Sequence, residues 1–339
     1  SDRKCHRKYH QRKKPVEVSI IIPCYNEENT ITLLLEAIYK QNYPKEKIEV
    51  VIADSLSEDG TLLKIQEFAM SHQDLQIRVI DNPKRTIPAA VNAAVEYAEG
   101  EFIVRMDAHS VPEADYIRHS IALLKEGKAQ NVGGIWEIEP GAPTCMAAAI
   151  ARAAAHPLGA GDASYRIKGT SSYVDTVPFG AFRRQDFLEL GKFNEKMLAN
   201  EDYEFNTRLR KAGGKIWLDN RIRSAYFARK SIGALAKQYW RYGYWKFKML
   251  KEFPESIRWR QALPPLFTLY LIILCLLSFF NQIAFIILIT TLGFYLFVLV
   301  AASIYESIQR KNACYLLMPL AFMTMHITWG SGFLYSIFR

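Results

Sequence analysis

Positions 102–109 read Phe-Ile-Val-Arg-Met-Asp-Ala-His, a short apolar run that ends in a carboxylate and an imidazole. The run predicts a β-strand, and side chains two positions apart on an extended segment point the same way. Asp107 and His109 could therefore share a metal ion, and this pair suits Mg²⁺ or Mn²⁺ when a substrate phosphate completes the coordination shell. The alternative is that Asp107 caps a helix beginning near Pro112 and that His109 is a loop residue. These residues alone leave both interpretations open.

Strand and helix patterns alternate around this stretch, from residue 18 to about residue 125. The predicted strands are residues 18–22, 48–53, 77–80 and 102–106, and the predicted helices are residues 29–40, 60–72 and 87–99. Such alternation predicts an α/β fold with a mostly parallel sheet, in which ligands bind at the carboxyl ends of the strands. Polar clusters fall at those ends, at residues 23–27, 54–55, 82–85 and 107–109. The sequence therefore predicts a binding site along this edge of the sheet.

The next part of the chain is less regular and lacks the common nucleotide-binding motifs. No GxGxxG follows the first strand and no GxxxxGKS/T occurs, so a Rossmann cofactor domain and a P-loop lose their main support. The patterns predict a strand at residues 132–138 and helices at residues 145–155 and 201–211. Residues 156–169 form a glycine-bearing loop that is either a lid or an ordinary connection. Residues 229–251 predict a basic, aromatic amphipathic helix suited to a membrane surface.

Three apolar runs close the chain, at residues 263–280, 283–305 and 314–338. Each is near the roughly 20 residues that a helix needs to cross a bilayer. Buried core helices are the alternative, but the first two runs carry no charge and are too long for that role. Only Asn281-Gln282 separates these two runs, so a tight helical hairpin is expected. We therefore expect three transmembrane helices.

Basic residues are concentrated in two stretches, and the formal net charge of the whole chain is +9. Residues 1–14 hold seven Lys/Arg against one Asp, and residues 229–260 hold nine against two Glu, which leaves −4 for the rest. The second stretch adjoins the first apolar run, as the positive-inside rule and attraction to anionic lipid require. A nucleic-acid partner is discounted, because no recognised nucleic-acid module occurs. We expect the soluble part to be cytoplasmic, with residues 310–311 inside and Arg339 outside.

The cysteine spacing and the N-terminal sequence argue against a cysteine-rich scaffold and against a signal peptide. Cysteines occur at positions 5, 24, 145, 275 and 314 without CxxC spacing, so they indicate neither a zinc site nor a disulfide framework. No apolar core follows the charges of the N-terminus, which therefore does not resemble a signal peptide.

Four motifs in order resemble the family 2 inverting glycosyltransferases, whose members share the GT-A nucleotide-diphospho-sugar transferase fold. The motifs are the opening strand and loop at residues 18–27, a DxSxDxT-like block at residues 53–61, Arg-Met-Asp-Ala-His at residues 105–109 in the DxD position, and Asn-Glu-Asp at residues 200–202. The resemblance covers about residues 16–251. It is greatest to membrane-anchored bacterial exopolysaccharide glycosyltransferases of the succinoglycan type, which carry Asp-Ala-His in place of Asp-x-Asp.

The resemblance implies a division into domains and an activity. The expected parts are a basic tail at residues 1–15, a GT-A catalytic domain at 16–228, basic amphipathic interface helices at 229–262 and three transmembrane helices at 263–339. The expected reaction moves one sugar, with glucose as the expected sugar, from a UDP-sugar to a polyprenyl-diphosphate-linked saccharide at the cytoplasmic face of the inner membrane. Inversion at an α-linked donor forms a β-glycosidic bond. A processive β-polysaccharide synthase and a non-catalytic nucleotide-binding scaffold or transporter are the rival interpretations, and the oligomeric state stays open.

The resemblance also implies roles for individual side chains. Asp202 is the expected general base that takes the acceptor's proton, and the alternative is a first-turn Asp that favours the helix dipole. Asp107 and His109 are expected to hold Mn²⁺ or Mg²⁺ at the donor diphosphate, and the imidazole favours Mn²⁺. The expected donor-binding residues are Pro23, Tyr25, Glu27, Asp54, Lys84, Arg85, Asn92, Asp107, Gln238 and Arg241. The expected acceptor-binding residues are Trp136, Gly180, Ala181 and Glu201, of which the tryptophan could instead pack in the core.

Several donor-binding residues have plain structural alternatives. Asp54, expected to accept a hydrogen bond from the uracil N–H, could instead cap its own loop. Lys84 and Arg85 could be solvated charges rather than phosphate ligands. Gln238 and Arg241 stand one helical turn apart where processive synthases carry QxxRW. They could equally lie on a basic aromatic helix that rests on lipid.

Overall fold

The first half of the chain forms a parallel α/β unit in a computed structural model that describes residues 15–167 and 169–339. Its strands are β1 (Val18–Cys24), β2 (Ile48–Asp54), β3 (Gln76–Asp81) and β4 (Phe102–Arg105), and its helices are α1 (Ile31–Tyr39), α2 (Thr61–Ser71) and α3 (Ile87–Tyr97). The strands run parallel in the order β3-β2-β1-β4, and alternate side chains of β1 enter two separate apolar clusters. The predicted alternation is therefore confirmed. The basic tail lies almost wholly outside the described residues.

The next part of the chain adds antiparallel strands and makes the sheet mixed. The added strands are β5 (Ser110–Pro112), β6 (Asn131–Glu139), β7 (Ser172–Tyr173), β8 (Ala181–Arg183) and β9 (Ile216–Phe227). The added helices are α4 (Tyr116–Lys125), α5 (Cys145–Ala154), α6 (Pro157–Ala160), α7 (Arg184–Glu189) and α8 (Glu201–Lys211). The sheet continues β4-β8-β6-β9-β5, and β8 is antiparallel to both of its neighbours. The carboxyl end of β4 therefore lies near the middle of a mixed sheet.

Strand β5 corrects one interpretation of the opening stretch. A helix beginning near Pro112 is not formed, because Ser110–Pro112 pairs with β9 and α4 begins only at Tyr116. The carbonyl of Asp107 instead accepts hydrogen bonds from Ser110 N and Oγ, at 3.0 and 2.7 Å. A strand this short is too brief to produce a recognisable alternating pattern. Asp107 is therefore free of any helix-capping role at this point.

A register shift between β6 and β9 depends on one glycine. The two strands are parallel, and their pairing shifts between Gly133 and Ile135. A Cβ added to Gly134 would lie 1.8 Å from the carbonyl oxygen of Ile222, so the close approach of the strands requires glycine. Beyond the shift, the rings of Trp136 and Tyr226 stack with their centroids 4.0 Å apart.

Four long helices follow the sheet. They are α9 (Ile232–Glu252), α10 (Trp259–Ser278), α11 (Gln282–Gln309) and α12 (Met318–Ile337). By length and composition α10, α11 and Ala313–Ile337 could each cross a membrane. The side chains of Phe280 and Phe294 are 91% and 69% exposed, as expected for lipid contact. Asn281 accepts hydrogen bonds from the N–H groups of Ile283 and Ala284, which forms the predicted hairpin between α10 and α11.

Helix α12 packs along α9. A Cβ added to Gly243 of α9 would lie 2.1 Å from the carbonyl oxygen of Trp329, so the two backbones touch. Further along, the rings of Trp240 and Tyr335 are 5.5 Å apart. Because α9 carries five Lys and Arg residues, it is suited to the membrane surface and not to the bilayer core.

Two links fasten the C-terminal helices to the sheet domain. Arg152 of α5 donates to both carboxylate oxygens of Glu306 in α11, at 2.6 Å each. Cys145 at the start of α5 forms a disulfide with Cys314, which precedes α12. The expectation that the cysteines form no disulfide is therefore wrong for this pair. Folding brings together two residues that are 169 positions apart, a proximity that spacing along the chain does not show.

Candidate active site

A cavity of about 850 Å³ opens where the sheet, α8, α9 and the C-terminal helices meet. Seven of the expected site residues line it, namely Asp107, His109, Trp136, Glu201, Asp202, Gln238 and Arg241. Part of the wall is apolar and comes from α10 and α12, with Leu263, Phe267, Met325 and Trp329. The cavity therefore joins a group of charged side chains to the helices that could enter a membrane.

Arg105 is the central cation of the charged part. Its Nε lies 3.2 Å from Asp107 Oδ1 and its Nη1 lies 3.0 Å from Glu201 Oε1. The side chains of Arg105 and Glu201 are each 8% exposed, so this pair is shielded from water. The arginine stands at the end of β4, and its backbone N–H donates to the carbonyl of Gly180 at 3.0 Å. Arg105 therefore connects the end of β4 to the start of α8.

Glu201 and Asp202 begin α8, and their side chains take different directions. Glu201 is buried against Arg105, whereas Asp202 is partly accessible to the cavity and accepts one hydrogen bond from the N–H of Tyr203 at 2.7 Å. The preceding Asn200 has φ of +62°, and this left-handed turn sets the start of the helix. Burial raises the pKa of the Asp202 carboxyl above its ordinary value, and the charge of Arg105 acts in the opposite direction. A carboxylate with a raised pKa is suited to accept a proton near neutral pH.

His109 and Asp107 have the chemistry of a divalent metal site. His109 Nδ1 lies 3.1 Å from Glu27 Oε1, an arrangement in which a carboxylate orients the ring and leaves Nε2 for a metal. Burial lowers the pKa of His109, but the hydrogen bond to Glu27 and the charge of Asp107 outweigh it and raise the pKa. No group of three or more protein ligands occurs within residues 15–167 and 169–339. One carboxylate and one imidazole are ligands that Mg²⁺ or Mn²⁺ accepts when the oxygens of a bound diphosphate complete the shell.

The carboxyl ends of β1, β2 and β3 bring three of the expected donor-binding residues together. The guanidinium of Arg85 lies 5.3 Å from the ring centroid of Tyr25 and donates to the carbonyls of Ser55 and Leu56. Asp54 is buried and accepts from Ser57 N at 2.9 Å and from Ser57 Oγ at 2.6 Å. This carboxylate therefore also braces its own loop, as its structural alternative predicts. Pro23 lies in β1 immediately before this loop.

Nine of the expected residues lie outside the cavity wall, and they are Pro23, Tyr25, Glu27, Asp54 and Arg85 together with Lys84, Asn92, Gly180 and Ala181. Lys84 forms an exposed ion pair with Glu195 at 2.6 Å. The buried amide of Asn92 bonds the carbonyl and N–H of Phe193, at 2.9 Å each, so it braces a loop. Ala181 is buried within β8, and Gly180 acts through its carbonyl and its φ of +86°. These side chains support neighbouring segments, and the structure does not bring them to the carboxylates.

Helix α9 fastens the segment that precedes α8. Arg241 Nη2 donates to the carbonyl of Leu198 at 2.8 Å, and Asn200 Nδ2 donates to the carbonyl of Tyr242 at 3.2 Å. Gln238 Nε2 donates to Tyr242 Oη at 3.0 Å. Gln238 and Arg241 both line the cavity, and Arg241 also holds the segment before α8 against α9.

Some residues of the site were missed by reasoning from the sequence. Arg105 stands inside the quoted motif, yet its pairing with Glu201 joins positions 96 apart. Arg166 lies in the loop of residues 156–169, where no local pattern marks it. The apolar wall residues fall inside predicted spans, where their direction towards the cavity is not encoded by hydropathy.

Comparisons with known proteins agree on the family. The family model described as "Glycosyl transferase family 2" matches residues 19–191. The chain is 28% identical over 325 residues, 95% of this chain and 97% of the other, to a dolichyl N-acetyl-alpha-D-glucosaminyl phosphate 3-beta-D-2,3-diacetamido-2,3-dideoxy-beta-D-glucuronosyltransferase of Methanococcus voltae. It is 29% identical over 318 residues, 93% of each chain, to the succinoglycan biosynthesis protein ExoA of Rhizobium meliloti (strain 1021).

A solved structure shows the same fold. The mannosyltransferase PcManGT from Pyrobaculum calidifontis, in complex with GDP-Man and Mn²⁺, superposes with a TM-score of 0.64 at 19% identity. The match covers 92% of this chain and 86% of the other. The expected GT-A fold is thereby confirmed.

Proposed function

Because the chain belongs to glycosyl transferase family 2, we propose that it transfers one sugar from a UDP-sugar to a polyprenyl-diphosphate-linked saccharide. The reaction takes place at the cytoplasmic face of the inner membrane, to which the C-terminal helices attach the enzyme. The observation that carries the proposal is the cavity that joins Asp202 to the apolar faces of α10 and α12. A lipid-linked acceptor needs such a passage between the membrane and the reaction site.

Asp202 acts as the general base. Its carboxylate takes the proton of the acceptor hydroxyl as that oxygen bonds to the anomeric carbon. The bond from this carbon to the diphosphate oxygen breaks at the same time, and the electron pair leaves with the nucleoside diphosphate. Attack from the opposite face inverts the α-linked donor into a β-glycoside. Glu201 and Arg105 support this geometry, because their ion pair holds the start of α8 against β4.

Asp107 and His109 would hold a divalent ion beside the donor diphosphate, and Glu27 would orient the imidazole. Such an ion, when bound, neutralises charge that builds on the departing diphosphate. The imidazole in place of a second carboxylate favours Mn²⁺ over Mg²⁺. Tyr25, Asp54 and Arg85, which follow or end β1, β2 and β3, would receive the nucleoside, and the contact of Arg85 with the ring of Tyr25 supports this role.

The activities of two relatives favour a lipid-linked acceptor and a role in exopolysaccharide synthesis. One relative acts on a dolichyl-phosphate-linked sugar, and the other is a succinoglycan biosynthesis protein. Both match this chain over more than nine tenths of its length, so the likeness includes the C-terminal helices. Glucose remains the expected sugar.

Product analysis tests the proposal. The full chain in detergent is mixed with each of several UDP-sugars, Mn²⁺ or Mg²⁺, and a panel of polyprenyl-diphosphate-linked saccharides. We expect one added sugar in β configuration by mass spectrometry and NMR. A ladder of products would favour the processive synthase, and absence of transfer from every donor would favour the scaffold or transporter.

A further inference from the structure

Arg166 is a charged side chain in the cavity wall that the transfer mechanism does not use. Its Nε donates to Tyr165 Oη and its Nη1 donates to Tyr239 Oη, at 3.2 Å each. Its guanidinium also lies 5.4 Å from the ring centroid of Trp136. Within residues 15–167 and 169–339 no carboxylate lies within 4.0 Å of it in an ion pair. An arginine keeps its charge and carries five N–H donors, so donors are left for an anion.

Arg166 lies among aromatic side chains that extend from the reaction site to the membrane helices. On one side, Tyr226 stacks on Trp136 and lies 5.8 Å from the ring of His109. On the other side, Tyr239 lies 6.4 Å from Trp329 of α12. An anion bound at Arg166 would therefore be held between the metal-binding pair and the apolar end of the cavity.

The wall beyond Arg166 is suited to a hydrocarbon chain. Leu158 and Met325 lie on one stretch of wall, and Leu263 and Phe267 on another. His326 at this end offers no free ring nitrogen to a ligand, because Tyr295 Oη lies 2.9 Å from one nitrogen and the Leu158 carbonyl lies 2.7 Å from the other. A molecule with a phosphate at one end and an apolar chain at the other matches this order of surfaces.

The cavity contains a further sign of an unfilled polar contact. The side chain of Trp136 is 9% exposed, and its indole N–H has no hydrogen-bond partner among the described residues. A buried donor without a partner is costly unless a ligand or water satisfies it. The indole therefore offers a second donor near Arg166, in addition to the guanidinium.

We propose that Arg166 and the hydroxyl groups of Tyr165 and Tyr239 bind the phosphate group of the lipid-linked acceptor, with its isoprenoid chain along the apolar wall between α10 and α12. This inference rests on the proposed function, because it names the site for that reaction's acceptor. It separates the two phosphate-bearing substrates, since the donor diphosphate would be bound through the divalent ion at Asp107 and His109. By holding the phosphate, Arg166 sets how far the lipid lies from the hydroxyl that Asp202 deprotonates.

Kinetics of Arg166→Gln and Arg166→Lys test the assignment. Because a charge-assisted hydrogen bond is lost, we expect Arg166→Gln to raise KM for the acceptor roughly 10- to 100-fold, with KM for the UDP-sugar within about twofold. Arg166→Lys should recover part of the acceptor affinity. The matched control is Arg118→Gln, which removes a surface ion pair with Asp115 and should change neither KM. An unchanged acceptor KM, or an equal rise in the donor KM, would overturn the assignment.

Direct binding separates this inference from the proposed function. Calorimetry with farnesyl diphosphate, inorganic pyrophosphate and UDP needs no transfer. Wild type should bind farnesyl diphosphate more tightly than pyrophosphate, and Arg166→Gln should lose that binding while it keeps UDP binding in the presence of Mn²⁺. If wild type transfers sugar but both variants bind farnesyl diphosphate normally, the inference fails alone. If pyrophosphate binds as tightly as farnesyl diphosphate, the lipid assignment is overturned.

Discussion

Replacing Arg105 with Met tests the charge balance at the centre of the site. The guanidinium lies 3.2 Å from Asp107 Oδ1 and 3.0 Å from Glu201 Oε1, and the pair with Glu201 is buried. Removing one partner of a buried ion pair leaves an uncompensated charge and costs about 3–5 kcal/mol. We therefore expect Arg105→Met to lose free energy of unfolding in this range at pH 8.

The size of this loss should depend on pH in a set direction. Burial raises the pKa of the Glu201 carboxyl, and Arg105 opposes that rise. Without Arg105 the folded-state pKa rises further above the unfolded value, so the folded state binds the proton more tightly. A carboxyl with a raised pKa stabilises the folded state at low pH, and this contribution to the free energy of unfolding is lost as pH rises through the folded pKa. The deficit relative to wild type should therefore be smaller at pH 5 than at pH 8.

Denaturant unfolding in mild detergent, followed by circular dichroism, measures both effects. Arg183→Met is the matched control, because Arg183 pairs with Glu101 where both side chains are more than one third exposed. After allowance for solvent screening, that pair should contribute within about 1 kcal/mol. Equal losses in the two variants, or a deficit for Arg105→Met that grows as pH falls, would refute the reasoning.

Three further predictions concern the metal ligand, a buried lysine and the membrane topology. Glu27→Gln weakens the contact that orients His109, so the Mn²⁺ concentration for half-maximal transfer should rise roughly 10- to 100-fold, and an unchanged value would contradict the ligand role. Burial lowers the pKa of Lys246 to about 7, below its unfolded value. Because the unfolded state binds more protons than the folded state in this range, the free energy of unfolding of the wild type should rise by about 2–3 kcal/mol from pH 7 to pH 9. In denaturant unfolding, Lys246→Met should lack this gain. If the free energy of unfolding of both proteins changed equally between pH 7 and pH 9, the prediction would be wrong. Three full spans put Arg339 on the side opposite the catalytic domain, so a membrane-impermeant thiol reagent should label Arg339→Cys from that side. Labelling from the side of the catalytic domain would count against three full spans, and would fit the packing of α12 along the cationic α9.

The parallel strands were predictable because each is a short run rich in Ile and Val that is bounded by polar residues. Strands β1, β2 and β4 end within two residues of their predicted limits. Strand β5 was not predictable, because its identity depends on pairing with β9 and not on its own pattern. The Cys145–Cys314 disulfide and the packing of α12 on α9 likewise depend on contacts between distant segments.

The candidate site was predictable where a motif and a strand end coincide, as at Asp107, His109 and Asp202. It was less predictable where the partner is distant in sequence. Asn92 was expected to bind the donor, but its amide is committed to the backbone of Phe193. Arg166 carries no local signal, because its contacts with Trp136 of β6 and Tyr239 of α9 join segments that are distant along the chain.

The central claim is that Asp202 is the base for sugar transfer. It is tested most directly by the single-turnover rate of Asp202→Asn, with saturating UDP-sugar, Mn²⁺ and lipid-linked acceptor. Asp74→Asn is the control, because Asp74 is an exposed carboxylate outside the cavity wall. We expect Asp202→Asn to lose transfer by on the order of 10²- to 10⁴-fold while it binds the UDP-sugar as wild type does. Transfer at the rate of the Asp74→Asn control would contradict the claim.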